Sequence, residues 1–121
     1  MKRIILAALL TLTTQAQAGP FTDSALFGAA NHYGRMRGIE EGCKIEHKES
    51  ITFKARVISR LMLIPMIDLA DAENQMERLA RQDINSMMDA CFEGAKESYA
   101  RLVDNQDFFL RRLEKAIATD F

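Results

Sequence analysis

The sequence predicts an all-α fold, a small four- or five-helix bundle clasped by one disulfide. Three observations lead there. Beyond residue 22 the apolar residues recur at helical spacing, and Val, Ile and Thr do not gather into the alternating runs of strands. Only two prolines and six glycines interrupt the 121 residues. The two cysteines, Cys43 and Cys91, stand far apart in a chain whose start reads as an export signal.

That start has the three parts export requires. Lys2 and Arg3 give a positive beginning, and residues 4–12 form an apolar stretch broken only by Thr11. Ala16-Gln17-Ala18 then offers small side chains at the positions a signal peptidase accepts. The stretch is shorter than the roughly 20 residues of a membrane span. We therefore expect residues 1–18 to be a cleaved bacterial signal peptide and residues 19–121 to form a single helical domain. No cysteine follows Ala18, so no lipid anchor is expected. The expected compartment is the periplasm or the medium, and no transmembrane segment is expected in the mature chain.

The elements follow in order. A first helix is expected over residues 23–44, with Thr22, Asp23 or Ser24 as N-cap. Leu26, Ala29, Tyr33, Met36 and Cys43 share its inner face. Beside them Ala30, Gly34, Gly38 and Gly42 repeat every four residues, a stripe suited to close helix packing. Each interior glycine costs a helix about 1 kcal/mol relative to alanine, so close approach of another backbone is the expected compensation. Packing within the chain is the leading reading; a homodimer contact is the alternative, and termination of the helix at Gly38 or Gly42 is a third.

A charged turn precedes Ser50, the expected N-cap of a second helix with Ile51, Ala55, Ile58 and Met62 inward. It runs into the apolar residues 61–67, where Pro65 kinks or restarts it. Leu69, Ala72, Met76 and Leu79 carry a third helix to about Arg81, with Glu77 and Arg81 paired on the outside. Asp83 is expected to begin a fourth, holding Ile84, Met88, Cys91, Ala95 and Leu102 inward with Glu97 and Arg101 outward. A last helix carries Phe109, Leu113 and Ile117.

In an exported chain, two lone cysteines are best read as a Cys43–Cys91 disulfide. Closing a loop of about 49 residues, it would constrain the unfolded chain by roughly 4 kcal/mol.

Composition and motifs narrow the function. Removing Lys2 and Arg3 from the 16 basic residues leaves 14 against 17 acidic ones, a balance opposed to nucleic-acid binding. No G-x-S-x-G, H-E-x-x-H or phosphate-cradling loop is present. His32 and His47 read as surface groups, and the adjacent Glu40 and Glu41 read as solvated. The methionines, Met62 and Met66 included, read as flexible filler rather than copper ligands. No catalytic residue, cofactor or metal is expected.

The candidate partner face is Arg60, Leu61, Leu63, Ile64, Ile67 and Asp68. Lys54, Arg56 and Arg60 precede Pro65, whereas Asp68, Asp71, Glu73 and Glu77 follow it, so the charge reverses across an apolar centre. In so small a domain the leading reading nonetheless makes residues 61–67 buried core, with the charges as two solvated flanks. The expected function is a non-enzymatic, exported protein-binding module, either an inhibitor or immunity protein or an envelope adaptor, with another protein as partner. In size and in its two widely spaced cysteines the chain is also similar to small helical acid-stress chaperones, which makes a periplasmic chaperone the alternative. A metal carrier or an unrecognised enzyme is the third class.

Overall fold

A computed structural model describes residues 19–87 and 91–121, and the expected signal peptide and Met88 lie outside the described residues. Five helices and no strand occur among those residues. They are α1 (Pro20–Cys43), α2 (Glu49–Leu61), α3 (Leu69–Met87), α4 (Ala95–Asp104) and α5 (Gln106–Asp120). The central helix is α1, which packs most extensively against α3 and then α5, with α2 and α4 filling its flanks.

α1 starts earlier than expected. Pro20 sits in the first turn, where its missing N–H costs nothing, so Thr22, Asp23 and Ser24 are helical rather than caps. The N–H of Thr22 donates instead to Asp120 Oδ2 at 2.7 Å, a carboxylate from the last turn of α5. The helix also passes through both Gly38 and Gly42, and ends where Lys44 turns left-handed at φ 55°. Ala25, Leu26, Ala29, Ala30, Tyr33, Met36 and Ile39 are buried around more than one side of it. Neighbours on several sides explain why a single apolar stripe does not describe this helix.

The glycine stripe meets α3. A Cβ on Gly34 would stand 2.7 Å from the Ala80 carbonyl oxygen, and one on Gly38 2.9 Å from that of Ile84. Ala30 is fully buried in the same row. On α3 the answering row is Ala72, Met76, Ala80 and Ile84, each four residues from the last and each buried. Two four-residue rows of mostly small side chains allow the backbones to approach.

α2 keeps only Ile58 of the expected inward stripe, partly buried against the core, and buries a different one. Phe53, Val57 and Leu61 face the core, joined by Ile64 just beyond the helix, whereas Ile51 and Met62 are each 60% exposed. Burying Phe53, Val57 and Leu61 is worth about 1.5–3 kcal/mol each, whereas the expected stripe includes Ala55, which has little apolar surface to bury. Pro65 does not restart a helix. Residues 62–66 form turns and α3 begins at Leu69, with Asp68 Oδ1 accepting the Asp71 N–H at 3.2 Å as its cap.

α3 is one helix through Asp83 and Ile84, where the sequence pattern suggested a break. Cys91 is therefore not in mid-helix; it lies in the non-helical segment ahead of α4. The Cys43–Cys91 disulfide is formed, with the Cα atoms 4.5 Å apart, and it fastens this segment to the end of α1. No helix among the described residues is long and apolar enough to cross a membrane.

Candidate functional site

Four groups of side chains bear on function: the turn after α2, a polar cleft between α1, α2 and α3, a buried carboxylate at its base, and an enclosed histidine.

The turn divides the candidate partner face. Leu61 and Ile64 are core residues, 1% and 2% exposed, and Ile67 packs partly buried against that core. Arg60 Nε pairs with Glu114 of α5 at 3.0 Å, and Asp68 caps α3. Of the six, Leu63 alone presents an exposed apolar side chain, at 69%, and it is joined by Met62 and Met66. Met66 is completely exposed and holds a left-handed backbone at φ 60°. The turn is not loose, because successive N–H groups of Leu63 and Ile64 donate to the carbonyls of Arg60 and Leu61 at 3.0 Å. Burial of Leu61 just before it and of Ile64 within it anchors the turn to the core.

Much of the charge on either side of Pro65 is paired within the chain. Lys54 Nζ of α2 reaches Glu73 and Glu77 of α3 at 3.0 and 2.9 Å. Arg37 of α1 donates to the same Glu77 at 2.8 Å, and the Tyr33 hydroxyl donates to it at 2.5 Å. Glu77 thus faces inward and ties three helices together, correcting its expected surface pairing with Arg81. Burial alone would raise the Glu77 carboxyl, but the bonds from Tyr33 and Lys54 and the charges of Lys54 and Arg37 hold it below its ordinary value. Burial, and then the bond to Glu77, pushes the Tyr33 hydroxyl up. These residues line a cleft of about 490 Å³ that also takes in Glu41, Lys48 and Ile51.

At the base of the cleft is Glu40, 1% exposed, where a solvated residue was expected. Its carboxylate accepts the Ser50 N–H at 2.8 Å, the Ser50 hydroxyl at 2.5 Å and the Tyr99 hydroxyl at 2.6 Å. Ser50 is accordingly not the cap of α2. Lying inside the first turn, it is capped by Glu40, and a negative group there is favoured by the helix dipole. The same contact fixes Tyr99 of α4, whose hydroxyl also accepts the Glu49 N–H at 3.1 Å. Burial, followed by the bond to Glu40, raises the Tyr99 hydroxyl strongly. Ser50 Oγ is fully buried and committed to Glu40, so it is not presented to a substrate.

His32 is the other correction. It is 3% exposed, with ring centroids 5.1 Å from Phe53 and 4.4 Å from Phe109. Its Nε2 lies 2.7 Å from the Leu102 carbonyl oxygen, which requires an N–H there and ties α1 to α4. Burial first, and the charge of Arg35 after it, lowers the imidazole pKa despite that bond. His47, by contrast, is on the surface as expected, 3.0 Å from Glu49. Among the described residues no group of three or more His, Cys, Asp or Glu side chains is arranged to hold a metal ion.

Sequence reasoning missed Glu40 and His32 as buried polar groups and Glu77 as a half-buried one. One signal was present: Tyr33, Arg37 and Glu41 repeat every four residues, a polar row beside the glycine stripe. Comparison with protein-family models, with curated proteins and with solved structures gives no match, so the functional reading stands on the chain's own geometry.

Proposed function

We propose that the protein is an exported, non-enzymatic protein-binding module, an inhibitor or immunity protein or an envelope adaptor, that engages its partner through the turn of residues 62–66. The observation that carries this reading is Met66. A left-handed backbone at a non-glycine residue costs about 1 kcal/mol or more, and a fully exposed side chain contributes no packing to offset it. Met62 and Leu63 are also exposed apolar side chains of this turn, which buried Leu61 and Ile64 hold to the core. Apolar side chains on a rigid projection suit a hydrophobic recess on another protein, because little ordering cost remains at binding. The export signal and the disulfide support a working place outside the cytoplasm.

The test is capture from envelope extract with the exported, oxidised protein, then titration of the purified partner against variants. Leu63→Asp and Met66→Asp should fold like the parent, with unfolding free energies within about 0.5 kcal/mol, and should bind at least tenfold more weakly. Ile64→Asp should unfold the domain. Unchanged affinity in the folded Leu63→Asp, Met66→Asp double variant would overturn the assignment of this turn.

A periplasmic acid-stress chaperone is the second reading, and His32 is the observation that favours it. Acid would charge an imidazole enclosed between two phenylalanine rings and loosen α4, uncovering Leu102, Val103 and Phe109. Dye binding that rises on acidification, with suppressed aggregation of several unrelated clients, would select this reading.

A further inference from the structure

α5 has a second face that the core does not use. Phe108, Arg111, Arg112, Lys115 and Thr119 are all exposed and lie on one side of the helix, away from the buried Leu110, Leu113 and Ile117. Three cations therefore share one surface on a chain whose formal net charge is −1. Among the described residues none of the three forms an ion pair. Glu114 is held by Arg60, and Asp120 by the Thr22 N–H. Asp107, one turn before Arg111, makes no ion pair with it.

Two adjoining hollows open on this face and share Arg112 and Lys115. The smaller, about 240 Å³, has Phe21 of α1 as its aromatic wall. The larger, about 380 Å³, is walled by Phe108 and also reaches Arg111. Both rings are 59% exposed. Each hollow thus combines a cationic rim with an apolar ring, the complement of an amphiphile that carries a negative headgroup on a hydrocarbon body.

We propose that this face docks the protein on an anionic phospholipid surface. Arg111, Arg112 and Lys115 meet headgroup phosphates, while Phe21 and Phe108 enter the boundary between headgroups and acyl chains. Charge complementarity selects an anionic partner, and the two exposed rings select a lipid one: a bilayer admits rings that stand apart on two helices, whereas a protein partner needs a matching contour. The protein lies on the bilayer, since no described helix could span it.

The test is co-sedimentation of the oxidised, mature protein with vesicles. Vesicles containing phosphatidylglycerol should bind it, those of phosphatidylcholine alone should not, and salt should release it. Arg112→Gln and Lys115→Gln should each weaken binding about fivefold. Phe21→Ala and Phe108→Ala should weaken it with charge unchanged, whereas Arg78→Gln on α3 should have no effect. The folded Leu63→Asp, Met66→Asp variant should keep full vesicle binding, which separates this face from the turn of residues 62–66. Failure to bind phosphatidylglycerol vesicles, or binding indifferent to Arg112→Gln and Lys115→Gln, overturns the proposal. So does loss of an acidic protein partner in those variants when vesicles are not bound at all.

Discussion

Replacing Glu40 by alanine removes a single side chain and strands three donors. The Ser50 N–H and hydroxyl are fully buried, and each buried donor left unpaired costs about 1–3 kcal/mol. The Tyr99 hydroxyl lies closer to solvent and recovers most of its loss by hydrating. Removing a buried carboxylate returns part of its own desolvation, which sets the net against the lower half of the range. We expect Glu40→Ala to lower the unfolding free energy by about 3 kcal/mol, a large share of the 5–15 kcal/mol of an ordinary domain. The assay is urea unfolding of the oxidised protein at neutral pH, followed by far-ultraviolet circular dichroism. A double-mutant cycle with Ser50→Ala separates the contact from general damage. Its coupling should exceed about 1 kcal/mol, since Ser50→Ala removes one donor that Glu40 satisfies. The reasoning fails if Glu40→Ala costs under about 1 kcal/mol, or if the two changes add within about 0.5 kcal/mol.

Two further outcomes follow from residues already described. His32 has a lowered folded-state pKa, so the unfolded chain takes up its proton first as pH falls. The stability it contributes is complete above the ordinary imidazole value of 6.5 and is lost progressively below it; His32→Gln should flatten the urea-midpoint curve in that window. The glycines of α1 should respond in opposite directions. Gly38→Ala drives a Cβ into the Ile84 carbonyl and should cost about 2 kcal/mol despite better helix propensity. At Gly28 a Cβ meets only the Phe109 ring at 3.7 Å, so Gly28→Ala should stabilise by about 0.5–1 kcal/mol, both read from urea midpoints.

What was legible in the sequence was whatever depends on spacing within one element. The helical period gave the all-α class, and the four-residue row of Ala30, Gly34 and Gly38 marked a close approach before its neighbour was known. The disulfide was expected from two lone cysteines in a chain whose start reads as an export signal, and it is formed. Between two plausible stripes on α2, spacing alone chose wrongly, because the decision lies in which side chains fill the space left by α1 and α5. The caps were illegible for a deeper reason. α1 and α2 have no side-chain cap of their own; Asp120 and Glu40 serve them from other helices. Local rules looked for Thr22 or Ser50 doing that work. The same blindness assigned Glu40, Glu77 and His32 to the surface, since burial of a polar group depends on partners that only the fold brings near. At the candidate partner face the run of residues 61–67 was visible, but its division into buried Leu61 and Ile64 and exposed Met62, Leu63 and Met66 needed the turn geometry.

The bond from the Thr22 N–H to Asp120 joins residues 98 positions apart. A ribosome delivers this chain amino end first, so the opening turn of α1 waits for almost the last residue before its donor is satisfied. Removing residues 120 and 121 would therefore loosen the opposite end of the chain, taking from the first turn of α1 the acceptor that its own residues do not supply.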